Sequence, residues 1–330
     1  MWSPSVFAFW KSRSQRRGYS KPALPRRQRV RPCLEMLEDR CVPSTLFVTS
    51  NADNGAAGTL RSAVQQARKN DTIEIDTTQT IVLTQGHIVL EKDLTIEAAK
   101  NTTATVSGGF TSGIFEVFAS VTLNYLDLIN GGSGRGDGGA VLDDTSNLTV
   151  NNCSFSGNSA SVGGAIADAG GNLTVNNCTF SGNTANANGN SPGIGGAIAA
   201  YPVNTSPFTT AYPTVSINNS TFSGNTATDG GAIYDSGMLF NAKKPQMAIS
   251  GCSFSGNSAT NGGAVYLDPV GSENVTISNT SFLNNTATQQ GGAIYAYHTG
   301  GLTVTQDTFA GNTPNNIYGP YIDGGGNIGL

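Results

Sequence analysis

The sequence predicts an all-β protein: a right-handed single-stranded parallel β-helix of about nine to ten coils, closed at its N-terminal end by a short helix. Three observations point there. A phrase of nine or ten residues recurs as NNCSFSGNSA from Asn151, NNCTFSGNTA from Asn176, NNSTFSGNTA from Asn218 and GCSFSGNSA from Gly251. A second phrase, GGAI or GGAV, begins at Gly138, Gly163, Gly195, Gly230, Gly262 and Gly291. Finally, charged residues make up only 12% of the 330-residue chain while Gly reaches 42 residues, which favours turns and strands over helices or a charged disordered chain.

Six segments align without a gap, starting at Leu148, Leu173, Val215, Met247, Val275 and Leu302; a seventh, from Val121, carries Leu128 where the others have Phe. Numbered from its first residue, each has apolar residues at positions one and three, a small or apolar residue at six, Phe at eight and Asn at eleven. Alternation at one and three is the period of a strand buried on one face. Between three and six the parity changes, so the chain must kink, and Asn, Ser or Gly at four and five tolerates the left-handed backbone this requires. The glycine pair supplies a second bend before a short strand. Successive Phe residues lie 25, 42, 32, 28 and 27 residues apart, so insertions such as YPVNTSPFTTAYPT after Ala200 are expected as surface loops. A unit of about 25 residues cannot bury its own apolar side, but it can when stacked on copies of itself.

Stacking in register predicts two internal columns. Phe155, Phe180, Phe222, Phe254, Phe282 and Phe309 form one, each contributing about 2–3 kcal/mol of burial. Asn158, Asn183, Asn225, Asn257, Asn285 and Asn312 form the other, with amides bonded from coil to coil. At position six, Cys153, Cys178 and Cys252 read as buried thiols acting as small hydrophobes, with a Cys153–Cys178 disulfide the less favoured option because two parallel side chains poorly match its torsion. Leucine-rich repeats would need recurrent Leu and a helical convex side, and propeller blades would read as longer antiparallel hairpins; neither pattern is present.

Ahead of the regular repeats at 121–312, TLRSAVQQARKN places Leu60, Ala63, Val64 and Ala67 at helical spacing, so 59–70 is expected to be a helix that covers the open end of a solenoid spanning 45–330. Residues 1–44 differ in composition. They carry ten of the eighteen basic residues and read as a basic export or processing segment without regular structure, lacking the apolar run of a signal core or membrane span; Arg16–Arg17 has no such run after it either. From Ser44 onward eight basic residues face nineteen acidic ones, a net of −11, which argues against nucleic acid as a partner.

Two resemblances follow from these residues. RPCLEMLEDRCVPST, Arg31 to Thr45, resembles the LE-x-LEDR-x-x-PS segment near the amino termini of many large bacterial surface and secreted proteins, which implies export. The paired GGA[IV] and FxxN motifs resemble the repeats of the polymorphic outer membrane protein family, and SNADNGAAGTLRSAVQQARKNDTIEI resembles the opening of bacterial surface β-helix proteins that carry them. The likeness spans roughly Ser50 to Asn312. It implies a pectin-lyase-like β-helix, exported to the cell surface, associated with the outer membrane or released, with adhesion as its function. Members of that family end in a transmembrane β-barrel whereas this sequence ends in NIYGPYIDGGGNIGL, so direct insertion is not expected.

Catalysis by a β-helix would need charged residues converging on an outer face, either paired acids for hydrolysis or acids holding calcium beside a Lys or Arg base. The outward positions, including Thr149, Asn151, Thr174, Asn176, Ser216 and Asn218, are neutral. The best acidic set is Asp143, Asp168 and Asp235, five residues after the first Gly of their GGA phrases, with Asp144 and Asp268 one residue later; Ala200 and Ala296 interrupt the column, and ordinary turn chemistry is the alternative role. Cysteine and histidine spacing fits no metal site, His87 and His298 are distant in sequence, and Arg135-Gly136-Asp137 is a chance-level integrin tripeptide in a glycine-rich bend. The expectation is therefore a non-catalytic exported rod without a cofactor, whose Thr/Asn/Ser faces and loops meet a carbohydrate, an envelope component or other copies of the chain. A polysaccharide lyase or hydrolase using the three aspartates is the alternative, and a purely structural rod a third.

Overall fold

The computed structural model describes residues 42–132, 136–187, 189, 192–206, 209–236, 246–268, 274–297 and 301–330. Residues 1–41 of the basic segment, with Cys33 and Cys41, together with Arg135 of the RGD tripeptide, Lys243, Lys244 and His298, lie outside the described residues.

The described residues from 42 onward coil into three long parallel sheets. The first face has eleven strands, running from Thr45–Val48 to Ile322–Asp323, and the second and third have nine each. Nine coils contribute a strand to all three faces, with a partial coil at either end. Pairing is in register: Leu148 lies beside Leu173, Phe155 beside Phe180, and Ile166 beside Ile198. The insertion after Ala200 is a two-stranded antiparallel hairpin, Val203–Ser206 with Thr209–Ala211.

Two backbone devices make each coil close. Position five takes the left-handed conformation, as at Asn152 (φ 53°), Asn177 (φ 54°) and Asn219 (φ 50°), and turns the chain from the first face to the second. The GGA phrase does a similar job before the third face: Gly163 is left-handed (φ 61°), while a Cβ on Gly164 would sit 2.1 Å from the Gly196 carbonyl oxygen of the adjacent coil. Its second glycine therefore sets how closely successive coils approach.

The phenylalanines stack inside the coil with centroids 4.7–5.1 Å apart and planes within 7° of parallel. Beside them the buried asparagines form a continuous amide chain. Asn183 Nδ2 donates to Asn225 Oδ1 (3.0 Å) and to the Phe155 carbonyl (3.0 Å), and Asn225 Oδ1 also accepts the Asn183 backbone N–H (3.0 Å). The same pattern runs from Asn158 to Asn312. Every buried amide thus satisfies a backbone group stranded by the bend.

At position six Cys153, Cys178 and Cys252 lie within the apolar core as expected, and the side chains there also act as acceptors: the Cys153 N–H points to Cys178 Sγ (3.4 Å), Cys178 N–H to Ser220 Oγ (3.0 Å), Cys252 N–H to Thr280 Oγ1 (3.3 Å) and Thr280 N–H to Asp307 Oδ1 (2.8 Å). The kink frees an N–H in every coil, and a short side chain with a lone pair receives it. Cys153, Cys178 and Cys252 are buried free thiols.

The helix at the N-terminal end, Leu60–Gln66, is shorter than the expected 59–70. Thr59 caps its start by accepting the Ser62 N–H (3.3 Å), and its end is closed by Lys92 Nζ, which donates to the carbonyls of Ala67 (2.7 Å), Gln65 (3.2 Å) and Val64 (3.4 Å). Buried Leu60, Ala63 and Val64 face the coil. Arg61 pairs with Asp53 through two bonds (2.7 and 3.0 Å) and reaches the carbonyls of Gly86 and His87 (2.6 and 3.2 Å), pinning the cap to the second coil. Although burial opposes it, the hydrogen bonds from Arg61, Gln85 and Thr84 hold the Asp53 carboxyl below its usual range.

Candidate functional site

The three aspartates lie within strands of the third face, not in turns: Val141–Asp144, Ile166–Ala169 and Ile233–Ser236. Each stands two residues after an inward Val or Ile, so strand parity turns it inward as well. Asp143 and Asp168 are neighbours in register, Ala200 separates Asp168 from Asp235, and all three carboxylates are sealed from solvent. Ser146 Oγ donates to Asp143 Oδ1, and Gly171 N–H to Asp168 Oδ1 (2.7 Å). The two carboxyls converge beneath Gly171, where a Cβ would meet Asp143 Oδ2 at 2.7 Å and Asp168 Oδ1 at 2.8 Å. Each of the three acids leaves one buried oxygen without a partner. Burial pushes Asp143 up to about 6 and Asp235 up to about 7, and burial reinforced by the Asp143 charge raises Asp168 well above the usual carboxylate range. A polymer outside the coil does not touch them.

The outward positions of the third face are where chemistry concentrates. In register they read Val89, Glu116, Leu142, Ala167, Ala199, Tyr234, Tyr266, Tyr295 and Tyr318. Toward the N-terminal end, a cleft of about 190 Å3 is lined by His87, Ser112, Glu116, Asp137 and Leu142 among others. His87 Nε2 lies 2.7 Å from Glu116 Oε2. Asp137 Oδ2 accepts the hydroxyl of Tyr201 (3.2 Å), whose side chain extends back from a strand two coils further on. Ala167 and Ala199 face outward yet are fully buried. Burial raises Asp137, with the Tyr201 hydrogen bond opposing the shift. Arg61, adjacent to this cleft, is committed to Asp53 and to backbone carbonyls.

Beyond the alanines the face becomes a column of tyrosines. Tyr234 stacks on Tyr266 (5.2 Å), Tyr266 on Tyr295 (4.6 Å) and Tyr295 on Tyr318 (5.1 Å), with exposed Tyr297 alongside (6.0 Å from Tyr295). Tyr234 is nearly buried and donates its hydroxyl to Asp268 Oδ2 (3.2 Å); Tyr266, Tyr295 and Tyr318 are partly exposed. Asp229 lies near the column as well, accepting from Asn261 Nδ2 (3.0 Å). Burial first, then Asp268 and Asp229, keep the Tyr266 phenol protonated well above the usual range. The sequence signal for this column is the Tyr that follows GGAI or GGAV at 234, 266 and 295 and follows Ile317 in NNIY. Among the described residues no group of three or more His, Cys, Asp or Glu could hold a metal ion, and no helix is long and apolar enough to cross a membrane.

With this geometry in place, the class is a right-handed parallel β-helix. Residues 203–329 match the family described as right handed beta helix region, and residues 152–168 match the Chlamydia polymorphic membrane protein repeat. No curated protein sequence matches the chain. Among solved structures, PfbA, a surface adhesin of Streptococcus pneumoniae, is similar at 13% identity and a TM-score of 0.47 over 84% of this chain and 82% of that one. The PL6 family alginate lyase AlyGC is similar at 11% identity and a TM-score of 0.45, over 83% of this chain but 36% of the lyase. A second PL6 alginate lyase, solved with a trisaccharide, is similar at 14% identity and a TM-score of 0.44 over 86% of this chain and 61% of that one. The chain thus spans about a third of the length of AlyGC.

Proposed function

We propose that this protein is an exported, non-catalytic β-helix of the bacterial cell surface that holds an extended polysaccharide along the third face. The observation that carries this is the column of Tyr234, Tyr266, Tyr295 and Tyr318, one outward phenol per coil on a rigid sheet. The Thr/Asn/Ser positions of the first face are less suited: there Asn151 Nδ2 donates to Asn124 Oδ1 (2.9 Å), Asn176 to Asn151 (2.9 Å) and Asn218 to Asn176 (3.0 Å), so the amides already bond one another. Export is supported by the resemblance of the segment at 31–45 to those of secreted bacterial proteins.

Retention of the protein in gels containing polysaccharides tests this, together with assays for new reducing ends and unsaturated products. Retention without product, lost in a Tyr266→Ala/Tyr295→Ala double variant, is the expected result. Product formation would favour a second reading, a polysaccharide-degrading enzyme, for which His87, Glu116 and Asp137 in the cleft are the specific observation; Glu116→Gln would then abolish turnover. Neither retention nor product would leave a structural rod.

A further inference from the structure

We infer that the ligand of the tyrosine column is an uncharged polysaccharide and that Asp229 and Asp268 exclude polyuronates from it. This rests on the reading of that column as the glycan site and names the class of glycan.

The rings are stacked face to face, with planes 5–22° apart from Tyr234 to Tyr318. Each inner ring therefore has both π-faces covered by its neighbours, and what it offers outward is an edge and a hydroxyl. A sugar ring cannot lie flat on such a surface, so recognition falls to hydrogen bonding by a row of phenols spaced one coil apart. That spacing is comparable to the rise per residue of an extended β-1,4-linked glycan aligned with the coil axis.

Among the described residues the charge beside this row is of one sign. Asp268 accepts from Tyr234 and acts electrostatically on Tyr234, Tyr266 and Tyr295; Asp229 acts on Tyr266 and Tyr295. Among the described residues no Lys or Arg follows Lys100. Carboxylates accept hydrogen bonds from sugar hydroxyls but repel the carboxylates of alginate or pectate, and no described cation on this face compensates.

The test is affinity electrophoresis of the full chain at pH 8 and low salt in β-1,4-xylan, galactomannan, alginate and polygalacturonate, with folding verified by circular dichroism. A neutral polymer should bind with an affinity roughly tenfold or more above either polyuronate, the gap narrowing as salt shortens the screening length. An Asp229→Asn/Asp268→Asn variant should gain polyuronate retention, closing the gap between neutral and uronate polymers, even where the loss of the Asp268 carboxylate weakens neutral binding. Polyuronate binding equal to or stronger than neutral binding in the unmodified chain overturns the inference and leaves the glycan-binding reading intact, as does a double variant with no gain. Binding to none of the four, with the coil folded, removes both.

Discussion

Tyr266 and Tyr295 stack on the outside of the coil with centroids 4.6 Å apart and planes 5° from parallel, one of several such contacts along the third face. Because the stack fixes each ring on a sheet strand, the hydroxyls are ordered before any ligand arrives, which lowers the entropic cost of binding. Tyr266→Phe should keep the stack and lose one hydrogen bond, weakening glycan binding about three- to tenfold with little change in melting temperature. Isothermal titration beside a thermal melt measures both.

Asn225 accepts two bonds from Asn183 and donates to Asn257 Oδ1 (2.9 Å) and the Phe180 carbonyl (3.1 Å), all in the coil interior. Asn225→Ala should strand several buried groups at once and destabilise the fold by about 2–4 kcal/mol, more than Phe222→Leu in the adjoining column. Urea unfolding of the two variants ranks them.

The internal acids set a pH dependence of stability. Asp143 and Asp235, lifted to about 6 and about 7, and Asp168, raised well above the usual carboxylate range, bind protons more tightly folded than unfolded. Their contribution is complete below the unfolded carboxyl range near pH 4 and is lost as pH rises through the folded values. Asp53 runs the other way: its lowered folded value contributes stability above about pH 4 that is lost in stronger acid. The melting temperature should therefore peak near pH 4–5 and fall toward pH 8. Replacing Asp168 by Asn should flatten that fall, stabilising the protein at pH 8 by about 1–3 kcal/mol. A pH series of calorimetric melts checks the sign directly.

At the capped end, Arg61 ties the helix to Asp53 and to the carbonyls of Gly86 and His87. Arg61→Ala leaves Asp53 buried without its cation and should loosen the first two coils before the rest, costing about 3 kcal/mol locally. Hydrogen exchange should then rise in 60–90 while the strands from Leu148 onward stay protected.

Repetition made the columns legible. Phe180 and Asn183 recur at fixed positions in six segments, and register follows once the copies are stacked. The face taken by Asp168 was legible too, since Ile166 two residues earlier points inward, but the turn preference of Asp hid it. Position six gave no such signal: Cys178, Ser220, Thr280 and Asp307 share neither polarity nor size, only an accepting lone pair, and the stranded N–H that each one meets belongs to another coil. His87 and Glu116 meet across the first coils, where no repeated phrase marks equivalent positions. The tyrosine column stood in plain view after GGAI, its meaning dependent on knowing which way that strand faces.

A crystal structure of the chain soaked or grown with a neutral oligosaccharide that it retains tests the central claim most directly. The sugar chain should lie along the coil axis over Tyr266, Tyr295 and Tyr318, with its hydroxyls bonded to the phenols and to Asp268. A sugar seated instead on the first face, along Asn151, Asn176 and Asn218, would contradict it.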